Sequence, residues 1–120
     1  MPRPQRIVLS RRAGFDLAAT SLALNGLPAK VVTRPGRWGN PFSIDQVMAS
    51  EGLGREAAQA RAVALCGDWL HGRLPPELSP VPPLQHAEIR DALAGHNLAC
   101  WCRAGTPCHA DILIDIANSN

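Results

Sequence analysis

One stretch near the end of the chain decides its fold: Leu98-Ala99-Cys100-Trp101-Cys102-Arg103-Ala104-Gly105-Thr106-Pro107-Cys108-His109-Ala110-Asp111. The pattern predicts a short apolar strand, a turn and the start of a helix, because Pro107 stands where a first-turn proline is tolerated. Three of the four cysteines and one of the four histidines lie within this stretch. We therefore expect a functional site where this strand ends.

The rest of the chain alternates strand and helix patterns around that stretch. The clearest helix carries Ala58, Ala62, Leu65 and Trp69 on one apolar stripe. We expect strands at residues 6–10, 29–33 and 97–102, and helices at residues 16–23, 43–50, 55–73, 85–94 and 107–118. This order is typical of a small, layered α/β fold with a short, partly parallel sheet flanked by helices.

Length and composition indicate one domain over residues 1–120. A chain of 120 residues with 46% hydrophobic side chains can bury a core of its own. The proline-rich and arginine-rich residues 1–5 are expected to be a loose tail. Residues 74–83 contain five prolines and predict a rigid internal connector.

The sequence predicts a cytoplasmic protein with no membrane partner. It contains no apolar run of about 18 residues and no secretory signal. In a reducing compartment, clustered cysteines are more often metal ligands or reactive thiols than disulfides. The sequence does not indicate the oligomeric state.

Charge is distributed unevenly along the chain, although the net charge is only +2. Residues 41–120 are net acidic, at −4, whereas residues 1–40 carry a net charge of +6. This asymmetry favours an anionic partner such as a nucleotide or nucleic acid, although mutual neutralisation of the two halves would also explain it. The basic residues of the first part are Arg3, Arg6, Arg11, Arg12, Lys30, Arg34 and Arg37.

Three interpretations of the cysteine stretch stay open. Alternation along a strand predicts that Cys100 and Cys102 share one face and that Trp101 points away into packing. A metal site would use Cys100, Cys102 and Cys108, with or without His109, and zinc suits thiolate and imidazole ligands. Alternatively, the cysteines are small buried side chains that only pack the strand and helix.

The remaining interpretation is a catalytic or ligand-contacting thiol. Cys108 is expected in the first turn of the last helix, where free N–H groups lower the pKa of a thiol. His109 could supply a proton, and Asp111 could orient His109 or contact a sugar hydroxyl. Whether the protein is an enzyme is left open by the sequence.

A second compact patch, Arg34-Pro35-Gly36-Arg37-Trp38-Gly39-Asn40-Pro41-Phe42, follows another predicted strand. Its tryptophan offers a stacking face, its second glycine permits close approach, its asparagine could read a base edge and its arginines could hold phosphate. The alternative is a structural loop whose aromatic side chains fill the core and whose asparagine bonds its own backbone. The candidate ligand-binding residues are Arg34, Arg37, Trp38, Gly39 and Asn40.

Both patches together resemble a known family of small bacterial and phage proteins, catalogued only as a domain of unknown function. The resemblance rests on Arg37–Phe42, on Leu98–Cys102 and on Cys108–Asp111, and the segment Arg6–Arg12 is also similar to that family. It implies a single compact domain in which both patches matter together, and it implies no particular activity.

The leading hypothesis is a pocket for a nucleotide or nucleic-acid-derived ligand between two walls, the Arg37–Phe42 loop and the Cys100–Asp111 turn. Open α/β sheets bind ligands where their strands end, and both patches follow strands. Thiol-dependent or metal-dependent catalysis would be compatible with this pocket. The competing hypothesis is a zinc-stabilised, non-catalytic module that binds nucleic acid.

Overall fold

A three-stranded sheet forms the centre of the computed structural model, which describes residues 2–34 and 36–119. The strands are β1 (Arg6–Val8), β2 (Ala29–Val31) and β3 (Asn97–Cys100), in the spatial order β1-β3-β2. Both pairings are parallel, so β3 lies between two strands that run in its own direction. The predicted α/β class, with its short parallel sheet, is confirmed.

Five helices surround the sheet within the described residues. They are α1 (Leu17–Asn25), α2 (Ile44–Glu51), α3 (Arg55–Leu70), α4 (His86–Leu93) and α5 (His109–Asn118). The side chains of Asp16 and Ser43 begin α1 and α2 by accepting hydrogen bonds from the N–H groups of Ala19 and Gln46. Gly26 ends α1 at φ 79°, a left-handed conformation that glycine adopts without strain.

Each strand is shorter than the sequence predicts. The last backbone bonds of the sheet run from the N–H groups of Leu9 and Val32 to the carbonyls of Cys100 and Ala99, at 2.8 and 3.0 Å. Beyond them no neighbouring strand is available, so the chain turns. Cys102 therefore lies in a bend after β3 and not on the strand.

The core lies between β3 and the helices. All four residues of β3 are buried, and α5 packs against β3, β1, α3 and α4. A smaller apolar cluster joins α2 and α3 through Val47, Ala58, Ala62 and Leu65. Phe42 packs against both clusters, so the loop that carries it is anchored between them.

The amino end of β3 is held by a buried polar network around Asn97. The Asn97 amide donates to Ser21 Oγ and to Asn25 Oδ1, both at 2.8 Å, and Asn25 Nδ2 donates back to Asn97 Oδ1 at 2.9 Å. Ser21 in turn donates to the Leu27 carbonyl at 2.6 Å. This network ties α1 to the central strand, because a buried polar group is costly unless it is paired.

The segment before β1 is more tightly attached than a loose tail. The Gln5 N–H donates to Asn97 Oδ1 at 2.8 Å, and its carbonyl accepts from the Leu98 N–H at 3.1 Å. Arg3 lies 3.4 Å from Asp115 on α5. Among the described residues of this segment, Gln5 is therefore held against the central strand, while Met1 lies outside the described residues.

The proline-rich connector packs against the rest of the domain. It contains one turn of 3-10 helix at Pro76–Leu78, and its Val81 carbonyl accepts a 2.8 Å hydrogen bond from the Trp69 indole. Among the helices of residues 2–34 and 36–119, none is long and apolar enough to cross a membrane.

Candidate metal centre and ligand cavity

Three cysteines meet at the carboxyl end of β3. The Sγ atoms of Cys100, Cys102 and Cys108 all lie within 4.8 Å of one another, and Cys108 donates its thiol hydrogen to Cys100 at 3.1 Å. Cys100 is the last residue of β3, Cys102 follows in the bend, and Cys108 caps the start of α5. The fold thus brings together the three predicted thiol ligands, and such a cluster could bind a metal ion.

All three thiols have a raised pKa in this protonated arrangement. The pKa of Cys108 is raised to about 11, first by its hydrogen bond to Cys100 and then by burial. The expectation that the helix start would lower this pKa is therefore wrong, because donating the thiol hydrogen and losing solvent outweigh the backbone N–H groups. Cys108 is also 1% exposed, so it is a poor nucleophile for an external substrate.

His109 is buried beside the cluster with a defined orientation. Its Nε2 lies 2.8 Å from the Val32 carbonyl and 3.1 Å from the Trp38 carbonyl. Both partners are acceptors, so Nε2 carries the hydrogen and Nδ1 presents a lone pair. Nδ1 lies 3.8 Å from Cys108 Sγ. Burial lowers the pKa of His109, so the imidazole is kept neutral.

Arg6 holds the turn between the cysteines. Its guanidinium donates to the carbonyls of Thr106 and Arg103 at 2.8 and 3.0 Å, and to Asp111 at 2.9 Å. Sequence reasoning counted Arg6 only as part of a basic segment, and no local signal marks this role. Asp111 likewise forms its hydrogen bond with Arg6. It does not hydrogen-bond to His109, although one interpretation of the sequence required that contact.

The turn is also held from the opposite side by α3. Gln59 donates to the Pro107 carbonyl at 2.7 Å and to Thr106 Oγ1 at 3.2 Å. Together, Arg6 and Gln59 fix the backbone that carries Cys108 toward the end of β3. The sequence gives no signal for Gln59, because its partners are backbone atoms distant along the chain.

The second patch folds over the same edge of the sheet, and its shape depends on Gly39 and Asn40. A Cβ at Gly39 would lie 2.9 Å from the backbone of Arg34, so only glycine fits there. Asn40 is buried, donates to the Ala62 carbonyl at 3.1 Å and accepts from the Phe42 N–H at 2.9 Å. Both ends of the Asn40 amide are therefore used within the protein, as the structural alternative requires.

Arg37 and Trp38 lie on the outer side of that loop. The Arg37 guanidinium forms an ion pair with Glu88 and lies 5.0 Å from the centre of the Trp38 ring. The Trp38 ring is half-buried against the core, and its carbonyl accepts from His109. Neither residue lines the cavity to which the cysteines contribute, so their contacts with phosphate and base stay a prediction.

A cavity of about 490 Å³ separates the two patches. The cysteine side contributes Cys100, Cys102 and His109, whereas Cys108 does not line the cavity. Arg34 and Arg55 are the basic residues among those that line it, and Asp45 is the acidic one. The full lining comprises Thr33, Arg34, Asn40, Phe42, Ser43, Ile44, Asp45, Arg55, Gln59, Ala62, Val63, Cys100, Trp101, Cys102 and His109.

The cavity wall also includes Trp101, which was expected to point into packing. Instead this side chain is 46% exposed, and the Arg11 guanidinium lies 4.3 Å from the centre of its ring. Side chains were expected to alternate between the two faces of the strand through residue 102. This is wrong at Trp101, because β3 ends at Cys100 and Trp101 lies beyond the strand.

Fold and site together define a class: a small α/β domain with a cysteine cluster and a cavity at the carboxyl edge of a parallel sheet. Residues 24–119 match the family described as "Domain of unknown function (DUF4326)". The chain therefore belongs to that family. β1 and most of α1 precede the matched region. Neither the curated proteins nor the solved structures include a match to this chain.

Proposed function

We propose that this domain binds a nucleotide-like anionic ligand in the cavity and a zinc ion at Cys100, Cys102 and Cys108. One observation supports this most directly. The three sulfur atoms lie mutually within 4.8 Å, and two of the three cysteines line a cavity that also has arginines in its wall. A metal centre and a ligand site would thus share one wall.

The donor set suits zinc. Zn–S bonds of about 2.3 Å in a tetrahedron place sulfur atoms about 3.8 Å apart. The cluster spacing needs only small side-chain movements to reach this arrangement, since the sulfurs already lie within 4.8 Å. The unprotonated Nδ1 of His109, 3.8 Å from Cys108 Sγ, is the candidate fourth ligand. A reducing cytoplasm, which we propose as the location, would keep these thiols available.

The cavity suits a nucleotide in size and charge. A volume of about 490 Å³ falls in the range of small-molecule pockets, roughly 300–1,000 Å³. Arg34 can hold phosphate oxygens through forked hydrogen bonds, and Arg55 can do so by exchanging its weak, exposed pair with Asp45, at 3.5 Å, for the phosphate. Bound zinc would supply Lewis acidity. If a thiol contacts the ligand, Cys102 is better placed than Cys108, because it lines the cavity and is partly exposed.

Metal content tests the zinc part of the proposal. The purified, untagged protein is expected to carry one zinc ion per chain, and Cys102, the partly exposed thiol of the cluster, is expected to react with a thiol reagent only after chelation. Cys102→Ala should lose the metal, whereas Cys66→Ala, which alters a buried thiol outside the cluster, should retain it. Four thiols that react identically before and after chelation, with no metal bound, would contradict the proposal.

Calorimetry tests the ligand part. AMP, ADP, GMP and GDP are titrated into the zinc-loaded protein, and at least one should bind. Arg34→Gln and Arg55→Gln should each weaken binding by about tenfold, the loss of one charged hydrogen bond. Arg61→Gln is the matched control, because Arg61 lies on the same helix as Arg55, pairs with Glu51 and does not line the cavity. No binding of any of the four nucleotides would contradict this part.

A non-catalytic nucleic-acid module is supported less well. Three cations of residues 1–40 are in ion pairs within the domain: Arg3 with Asp115, Arg6 with Asp111 and Arg37 with Glu88. A phosphate-binding surface formed by these residues would have to exchange all three pairs for phosphate contacts, and its affinity would fall steeply with salt. Affinity for a DNA or RNA oligonucleotide that exceeds nucleotide affinity, with that salt dependence, would favour the module.

A further inference from the structure

Trp101 is an exposed aromatic side chain in the wall of the cavity. It follows β3 directly, lies between two cysteines of the cluster and lines the cavity while 46% exposed. Its indole N–H and ring carbons contribute little to the core from that position. A large aromatic group held half in water at the wall of a cavity is typical of a contact surface for a ligand.

Arg11 fixes the ring of Trp101. The guanidinium, on the segment after β1, lies 4.3 Å from the ring centre, which is within the range of a cation–π contact. Arg11 does not itself line the cavity, so it supports the indole without filling the ligand space. An aromatic ring that is already oriented loses less side-chain freedom when a ligand stacks on it.

From this placement, the geometry points to Trp101 as the residue on which the base of the bound nucleotide stacks. This inference rests on the proposed function and deepens it, since it names which part of the ligand each wall contacts. The base lies on Trp101, and the phosphate lies toward Arg34 and Arg55. It also replaces Trp38, whose ring is half-buried against the core with Arg37 beside it.

The test compares ligands with and without a base on the zinc-loaded protein. AMP and ribose 5-phosphate are titrated by calorimetry into the parent protein, Trp101→Ala, Trp101→Phe and the control Trp38→Phe. Trp101→Ala should weaken AMP binding by at least about fivefold, the lower range for loss of base–aromatic stacking, and change ribose 5-phosphate binding by less than about twofold. Trp101→Phe should restore most of the AMP affinity, and Trp38→Phe should leave it unchanged.

The outcomes separate this inference from the proposed function. If Trp101→Ala weakens both ligands equally, or if the parent binds ribose 5-phosphate as tightly as AMP, stacking on Trp101 is wrong while the anion-binding cavity stands. If the parent binds neither these two ligands nor any nucleotide, the proposed function itself fails. Thermal unfolding of each variant, measured with zinc bound, identifies a loss of binding that comes from loss of fold.

Discussion

The two ends of the central strand β3 (Asn97–Cys100) are both buried and both polar, yet they are built differently. At the amino end, Asn97 forms hydrogen bonds with Ser21, Asn25 and Gln5, all at 2.8 to 2.9 Å. At the carboxyl end, Cys100 meets two further thiols, and sulfur is a weak donor and acceptor. The polar groups of the amino end are therefore fully hydrogen-bonded within the protein, whereas the thiols of the carboxyl end form only weak hydrogen bonds with one another.

This difference separates a structural polar group from a functional one. Among the described residues, no buried side-chain nitrogen or oxygen lacks a hydrogen-bond partner, so the asparagine network has nothing left to offer a ligand. The thiols can exchange weak mutual hydrogen bonds for strong bonds to a metal. A buried asparagine and a buried cysteine cluster at opposite ends of one strand therefore differ in what they can still bind.

Replacing Asn97 should produce the largest loss of stability. Asn97→Leu keeps the size of the side chain, but it leaves the Gln5 N–H without its acceptor and removes the hydrogen bonds of Asn97 to Ser21 and Asn25. The free energy of unfolding in urea should fall by about 3 kcal/mol, while zinc affinity should change by less than about twofold. Asn118→Leu is the control, since Asn118 is an exposed asparagine that bonds Gly95 and Ile114. An equal loss in both variants would contradict the special role of Asn97.

High pH should destabilise the fold through its buried thiols and not through the asparagine network. Burial raises the pKa of Cys66 from 9.0 to about 12. The folded state therefore resists thiolate formation, so stability is full below pH 9 and is lost as the pH rises toward 12. In chelator, the free energy of unfolding should fall by about 1.4 kcal/mol per pH unit for each such thiol.

Two variants make the alkaline prediction specific. In Cys66→Ala, the free energy of unfolding should fall less steeply with pH, by the contribution of one thiol. It should still fall, because the remaining cysteines titrate. Asn97→Leu should keep the slope of the parent, because asparagine does not ionise. Urea denaturation curves at several pH values between about 9 and 11 measure these slopes. Parallel slopes for the parent and Cys66→Ala would show that Cys66 is not involved.

Arg6 should affect the metal centre more than the fold. Arg6→Gln removes the hydrogen bonds that hold the turn carrying Cys108, so zinc affinity should fall by about tenfold, as for other groups that support metal ligands. Competition with a chromophoric chelator measures this change. Arg3→Gln, which alters an exposed pair with Asp115, should leave zinc affinity unchanged. Equal effects of the two variants would mean that net charge, and not the hydrogen bonds of Arg6 to the turn, determines the zinc affinity.

Local patterns predicted the fold class and most element starts, because caps and apolar spacing act over a few residues. Asp16 and Ser43, the residues at which two helices were expected to begin, are the residues that cap α1 and α2. The meeting of Cys100, Cys102 and Cys108 was also predictable, since a strand, a short turn and a helix start leave little freedom. What failed depended on distant partners. The ends of strands are set by neighbouring strands, and these moved Cys102 into a bend and Trp101 into the cavity wall.

The roles of the arginines could not be read from the sequence for the same reason. In the sequence, Arg6, Arg34 and Arg37 are equivalent members of a basic segment. In the structure, Arg6 holds the turn between the cysteines, Arg34 lines the cavity and Arg37 forms an exposed ion pair. Only the fold assigns Asp111 to Arg6 and Glu88 to Arg37. A charge pattern thus indicates how many cations are present and not which of them remain available to a ligand.

Replacing Arg37 should accordingly change stability and nucleotide affinity least among these variants. This variant tests how far the ligand site extends from the carboxyl end of β3. Its pair with Glu88 is solvent-exposed, so Arg37→Gln should change the free energy of unfolding by less than about 0.5 kcal/mol. Nucleotide affinity should change by less than about twofold, in contrast to Arg34→Gln, because Arg37 does not line the cavity. Calorimetry on both variants and on Glu88→Gln provides the measurement. If Arg37→Gln weakens the nucleotide as much as Arg34→Gln does, the ligand extends beyond the cavity over the loop, and the site is larger than the strand-end pocket.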